Sequence, residues 1–250
     1  MICSRSHFVR YVRSCKKAKL LSRTVRCKLF VLYIFIFRLN YAPWMEQYLN
    51  EDELNRARRY LLASKCSNFI ASRARLKILL CNAIEQIKTC NCLSVSSEPI
   101  VPEIAQQLHI DVYKDGKPYL PDYPHLIFNL SHSDNLAVLG LAYCPHGNCE
   151  IGVDLEKISA DRDHMSIAER FFHPEEFTAI NLSADRACKF TEIWTKKESY
   201  LKMLGTGLKT PLNSFSVLED KNIHSEILPH NYILSYSINF TPQSVRVIFI

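Results

Sequence analysis

Residues 193–208 read Ile-Trp-Thr-Lys-Lys-Glu-Ser-Tyr-Leu-Lys-Met-Leu-Gly-Thr-Gly-Leu, and the fold turns on how this stretch is read. As a helix it places Trp194, Glu198 and Lys202 on one face, because residues four apart sit one turn above each other. Ile193, Tyr200, Leu201 and Leu204 fall on the adjacent side and offer an apolar stripe to a core. Gly205 ends the helix, and Gly207 leaves the backbone after it bare. The stretch thus holds a carboxylate and an ammonium at fixed separation on a helix anchored by a tryptophan. A solvated surface Glu–Lys pair has the same spacing, but a large aromatic on that face argues for burial.

Upstream, Ile151-Gly-Val-Asp-Leu-Glu156 is an apolar run carrying two carboxylates at a spacing of two. In a strand, Asp154 and Glu156 point the same way while Val153 and Leu155 face the other side. Two carboxylates on a strand end, with a third from Glu198, would make a site for a hard cation such as Mg²⁺. That ion takes a few carboxylates, keeps some waters and accepts phosphate oxygens from a substrate. The plainer reading of Asp-x-Glu is a pair of solvated acids on a sheet edge.

Four motifs occur in order: Asn129-Leu-Ser-His-Ser133, Gly152-Val-Asp-Leu-Glu156, Arg170-Phe-Phe-His-Pro-Glu-Glu-Phe177, and Trp194 through Leu208. Together with Pro211-Leu-Asn-Ser-Phe-Ser-Val217 they resemble the 4′-phosphopantetheinyl transferases of the broad-specificity, surfactin-synthetase-activating type. The resemblance runs from about residue 29 to the C-terminus. It implies an α+β fold of two similar α/β subdomains with pseudo-twofold symmetry and the active site in the cleft between them. The halves would be 29–145 and 146–250, the second carrying the metal and catalytic motifs. The implied reaction is Mg²⁺-dependent: the 4′-phosphopantetheine arm of coenzyme A moves onto a serine of an apo acyl- or peptidyl-carrier protein, and adenosine 3′,5′-bisphosphate leaves. Such carriers serve fatty-acid, polyketide or nonribosomal peptide synthesis.

By the same resemblance Asp154, Glu156 and Glu198 hold Mg²⁺, and Glu198 is also the candidate base. Lys202 meets the phosphate and serves the leaving group. Ser131 and His132, read as lying at a strand-end turn, bind coenzyme A phosphates, as does Lys117. Arg56 reaches the 3′-phosphate, and Glu176 is an acid near the site without an assigned role. Asn68, Phe69 and Glu53 depart from the family pattern, since relatives carry polar or basic groups there. The alternative is a non-catalytic module that binds coenzyme A or a carrier protein, against which stand the three acids and Lys202.

Composition fits this frame. The 250 residues can bury one large or two small cores. The formal charge of +6 is an effect of residues 1–28, which hold nine Lys or Arg and no acid; without them 22 basic residues face 25 acidic ones. A basic arm on a mildly acidic body does not argue for nucleic acid. Ten scattered cysteines without Cys-x-x-Cys read as thiols of a reduced cytoplasmic protein, with neither disulfides nor a zinc site. The expected protein is a cytoplasmic monomer with no membrane attachment, its first 28 residues a disordered extension or an over-long start, with a transit peptide as the alternative.

Residues 29–37 are apolar, too short to span a bilayer, and read as a buried strand. Residues 43–62 and 65–88 read as helices, 89–101 as a loop, and 102–108 as a short helix. Residues 126–130 and 136–142 read as a hairpin, and the Pro145/Gly147 region as the boundary between halves. Helices are expected near 163–171 and from 174, then short strands from 214. A faint echo at an offset of 125 aligns Leu76, Lys77 and Leu79 with Leu201, Lys202 and Leu204.

Overall fold

The computed structural model describes residues 31–145, 147–159 and 163–250. The basic arm and the start of the first apolar run lie outside the described residues. In chain order the elements begin with β1 (Val31–Arg38), a 3-10 turn (Pro43–Tyr48), α1 (Glu51–Arg58), α2 (Ala63–Cys90) and α3 (Pro102–Gln107). Next come β2 (Asp111–Val112), β3 (Pro118–Tyr119), β4 (Leu126–Ser133), β5 (Leu136–Tyr143) and β6 (Ile151–Lys157). The chain continues through α4 (His164–Phe171), α5 (Pro174–Asn181) and α6 (Arg186–Leu204) to β7 (Ile223–Leu228), β8 (Tyr232–Ile238) and β9 (Ser244–Phe249).

Seven consecutive residues of β1 are buried because both of its faces are covered. Val31, Tyr33, Phe35 and Phe37 join a core with Ala74, Ile78 and Leu79 of α2. Leu32, Ile34 and Ile36 meet Ile151, Val153 and Leu155 of β6 and Leu234 of β8 in a second core. At about 1.5–3 kcal/mol for each buried apolar side chain, the strand contributes roughly 10–20 kcal/mol gross.

The first sheet has the order β4-β5-β1-β9 and the second β6-β8-β7. β9 runs parallel to β1, so residues 244–249 complete the sheet formed by the N-terminal part of the chain. The second sheet is antiparallel throughout and packs on the first through the second core. A third core joins Phe172, Ile180, Phe190, Ile193 and Val217 under α4, α5 and α6. The result is a mixed α+β fold. Among the described residues no helix is long and apolar enough to cross a membrane.

Four expectations change. Residues 43–62 are not one helix: a 3-10 turn ends at Tyr48 and α1 starts afresh after Asn50. The cause is a capping box, in which Asn50 Oδ1 accepts from the Glu53 amide and the Glu53 carboxylate accepts from the Asn50 amide, both at 3.0 Å. Ser131 and His132 lie within β4, opposite Val138 and Ala137, and the turn falls instead at Asp134 and Asn135. Asp134 takes φ +52°, which an aspartate tolerates better than most side chains. Cys144 and Cys149 are joined as a disulfide across the loop between β5 and β6, where no disulfide was expected. Leu204 is 48 % exposed, because the apolar stripe of α6 ends at Leu201 and Met203.

Candidate functional site

The site is assembled on the outer face of β6. Ile151, Val153 and Leu155 point inward and are fully buried, so Gly152, Asp154 and Glu156 face α6. Gly152 lets the helix backbone rest on the strand. Small hydroxyl residues continue the contact: Thr195 and Ser235 hydroxyls lie 2.8 Å apart, and those of Ser199 and Ser237 2.7 Å apart. The helix is fixed at both ends. Asp185 accepts from the Cys188 amide at 2.9 Å at the start, and Gly205 takes φ +73° at the finish.

This close approach brings Lys202 onto Asp154. The Lys202 ammonium donates to Asp154 Oδ1 at 2.6 Å and to the Ser131 hydroxyl at 2.8 Å, and that hydroxyl donates to the same Oδ1 at 2.8 Å. Asp154 is 4 % exposed, and its Oδ2 is buried without a hydrogen-bond partner. Such a group is costly unless something else meets it. Glu198, one turn before Lys202, is also drawn in. Burial, then the Asp154 and Glu156 carboxylates, raise its pKa against the opposing pull of Lys202. Three acids therefore crowd around one lysine.

β4 supplies the other wall. β6 is an edge strand of its sheet, and alternate side chains of β4 reach across to it. Asn129 Oδ1 accepts from the Val153 amide at 2.9 Å, while the Ser133 hydroxyl accepts from the Lys157 amide at 3.2 Å and donates to Glu156 at 3.1 Å. The period-two spacing of Asn129, Ser131 and Ser133 was visible in the sequence. What it could not show was that this face of β4 meets the edge of β6 instead of solvent.

The other candidate residues divide. His132 is on the opposite side of the pleat from Ser131 and is exposed. Lys117 is bonded to the Glu150 carboxylate and donates to the Met203 carbonyl at 2.7 Å, at the last turn of α6. Glu150 was not anticipated. Arg56 is exposed, stacks over the Phe69 ring at 5.4 Å, and lines a separate cavity of about 450 Å³ with Glu53, Arg73 and His109. Glu176 lies elsewhere, fully buried against Lys197 at 2.8 Å and accepting from the Val217 amide at 2.8 Å. It braces α5, α6 and the 217 segment and has no bond to the acid cluster.

The donor set of Asp154, Glu156 and Glu198 is all oxygen, as a hard cation requires. Among the described residues no group of three or more His, Cys, Asp or Glu is placed so that it could hold a metal ion. Instead the Lys202 ammonium satisfies Asp154 Oδ1 and leaves Oδ2 orphaned. Excess carboxylate charge and an orphaned buried oxygen both fit an added cation.

Comparison with known proteins gives concordant matches. The profile of the 4′-phosphopantetheinyl transferase superfamily matches residues 150–247. The 4′-phosphopantetheinyl transferase ffp of Bacillus subtilis is 30% identical over 209 residues, covering 80% of this chain and 87% of that protein. The transferase gsp of Aneurinibacillus migulanus is 40% identical over 109 residues, 43% of this chain and 41% of its own length. The transferase Sfp of Bacillus subtilis is 34% identical over 132 residues, 50% of this chain and 55% of its own.

Proposed function

This chain belongs to the 4′-phosphopantetheinyl transferase superfamily, and on that premise we propose that the β4–β6–α6 wall is where it moves phosphopantetheine from coenzyme A to a carrier-protein serine. The observation that supports this placement is the set of Asp154, Glu156, Glu198 and Lys202 on facing elements, with Asp154 Oδ2 left unpartnered.

The transfer forms a bond between the serine oxygen and the phosphorus next to the pantetheine, and breaks that phosphorus's bond to the bridging oxygen. Glu198 takes the serine proton, a role suited to a carboxylate whose pKa is raised by burial and by neighbouring acids. Lys202 stabilises the departing phosphate of adenosine 3′,5′-bisphosphate as charge builds there. Asp154, Glu156 and Glu198 would hold Mg²⁺, which when bound supplies Lewis-acid charge for the pyrophosphate oxygens. Ser131, His132 and Lys117 are assigned to the coenzyme A phosphates, and Arg56 to the 3′-phosphate. This reading treats 29–145 and 146–250 as pseudo-twofold halves with the cleft between them. A module that only binds coenzyme A would not need the acid and lysine together.

Purified protein incubated with Mg²⁺, coenzyme A and an apo carrier protein should give the mass increase of one phosphopantetheine arm on the carrier. No increase on acyl- and peptidyl-carriers alike, with a known transferase working in parallel, would overturn the proposal.

A further inference from the structure

We infer that Glu150 is a positioning residue for Lys202, acting through Lys117 and the last turn of α6; the inference rests on the reading of Lys202 as the group that meets the phosphate. A helix leaves its last four carbonyls without partners inside the helix, and its end frays unless something outside takes them up. Met203, the residue after Lys202, carries one of these carbonyls. The Lys117 ammonium donates to it at 2.7 Å and pairs with the Glu150 carboxylate. A cation there also suits the negative end of the helix dipole.

The turn that carries Lys117 joins β2 to β3 and is closed on itself. The Tyr113 amide donates to the Lys117 carbonyl at 2.9 Å, and the Tyr113 and Tyr119 rings stack with centroids 4.1 Å apart. This turn grips the end of α6 on both sides of Gly205. Lys117 holds Met203 ahead of the glycine, and Asp115 accepts from the Lys209 ammonium behind it. A methyl group on Gly205 would meet Lys117 Cδ at 3.7 Å, so the lysine stem crosses the end of the helix. Glu150 gives the grip its footing at the start of β6. Its amide donates to the Asn239 side-chain oxygen at 2.7 Å, and the preceding Cys149 is bonded to Cys144 just after β5. The Lys202 side chain leaves the same turn of α6 toward Asp154, so a last turn that shifts takes that ammonium with it. Lys117 is assigned to a phosphate as well, whereas Glu150, an anion, is no partner for one. Glu150 is also exposed, so its replacement removes little buried surface.

The test compares the protein with Glu150→Ala, Glu150→Gln, Lys202→Met and the double variant Glu150→Ala/Lys202→Met. Transfer to an apo carrier protein with Mg²⁺ and coenzyme A is followed by intact mass, giving kcat and the KM for coenzyme A. Thermal midpoints are measured on the same samples. Glu150→Ala should lower kcat about tenfold, with its midpoint within about 3 °C of the unsubstituted protein. Glu150→Gln, whose carboxamide oxygen still accepts from the lysine, should recover most of the rate. In the Lys202→Met background, Glu150→Ala should change kcat by less than about twofold, because the group it positions is already gone. An unchanged kcat in Glu150→Ala, a loss seen only with a large fall in midpoint, or no recovery in Glu150→Gln would each overturn the inference. So would a change confined to KM, or the full loss repeated in the Lys202→Met background, since both would place the effect on Lys117 at the substrate. If Lys202→Met alone keeps a normal kcat, the reading of Lys202 fails and takes this inference with it.

Discussion

A methyl group on Gly152 would lie 1.9 Å from the Ser199 carbonyl oxygen and 2.4 Å from the Met203 amide nitrogen. Both are backbone atoms, so no side chain can move aside to make room. β6 and α6 touch main chain to main chain at this point, which carries Glu198 and Lys202 within reach of Asp154.

Gly152→Ala should therefore do more damage than a typical overpacked core position, which costs about 1–3 kcal/mol. The helix must lift off the strand, and the acid–lysine contact opens with it. Denaturant unfolding should show a loss at or above the top of that range, and transfer should be abolished in the protein that remains folded. Normal stability with normal transfer would mean that α6 does not rest on β6 this closely.

Glu198→Gln separates stability from chemistry. Burial, then Asp154 and Glu156, raise the folded-state pKa of Glu198 above its unfolded value. For a carboxylate shifted upward, the protonated form is the one favoured by folding, so stability is lost as pH rises from the unfolded pKa through the folded one. Without divalent ions, Glu198→Gln should melt higher than the parent at neutral pH, and the gap should close below about pH 4. Transfer should fall by about 10²-fold or more. A lower midpoint at neutral pH would contradict the crowding of acids around Glu198.

Lys202→Met leaves Asp154, 4 % exposed, without its cation. The uncompensated carboxylate should cost about 1–3 kcal/mol. Millimolar Mg²⁺ should return part of that stability but not the rate, which should stay about 10²–10³-fold down. Full recovery of turnover by Mg²⁺ would remove Lys202 from the chemistry.

Glu176 and Lys197 are both fully buried and form an ion pair that also satisfies the Val217 amide and the carbonyls of Leu212 and Phe215. Glu176→Ala should cost about 3–5 kcal/mol, because it strands a buried ammonium. Turnover per folded molecule should hardly change, since neither residue touches the acid cluster. A specific loss of turnover at unchanged stability would return Glu176 to the site.

Glu53 governs the acid limb of stability. Burial pushes its pKa up, but the buried Lys77 at 2.6 Å and Arg73 at 2.6 Å outweigh it, and the net shift is downward. A lowered carboxylate contributes stability above its unfolded pKa, near 4.3, and loses it as pH falls through the folded value. The parent protein should therefore lose stability more steeply below about pH 4 than Glu53→Gln, which should already be weakened at neutral pH. Parallel acid limbs would show that the pair with Lys77 contributes nothing.

Much of the candidate site was legible because its signals are local. The helix over Trp194, Glu198 and Lys202 follows from spacing and from Gly205, and the Asp154/Glu156 face follows from strand alternation. Ser131 was picked out as a residue of interest but placed in a turn, because Ser-His-Ser-Asp-Asn is polar enough to read as a loop. Its polarity instead serves the edge of β6. Lys77 and Lys202 look alike in the sequence, both followed two residues later by leucine. One is fully buried against Glu53 and the other bridges Asp154 and Ser131.

The sequence by itself determined which residues share a face: the buried β1, the acids of β6, the lysine one turn from Glu198. These follow from the periods of strand and helix, which need only neighbours along the chain. The tertiary structure alone decided which faces meet. Gly152 gains its meaning only once α6 lies on it, Ser133 only once the edge of β6 lies against it, and Glu176 only once Lys197 is sealed beside it. Residues 244–249 likewise join β1 across almost the whole chain. Such contacts depend on burying surfaces far apart in sequence, and no local period encodes that.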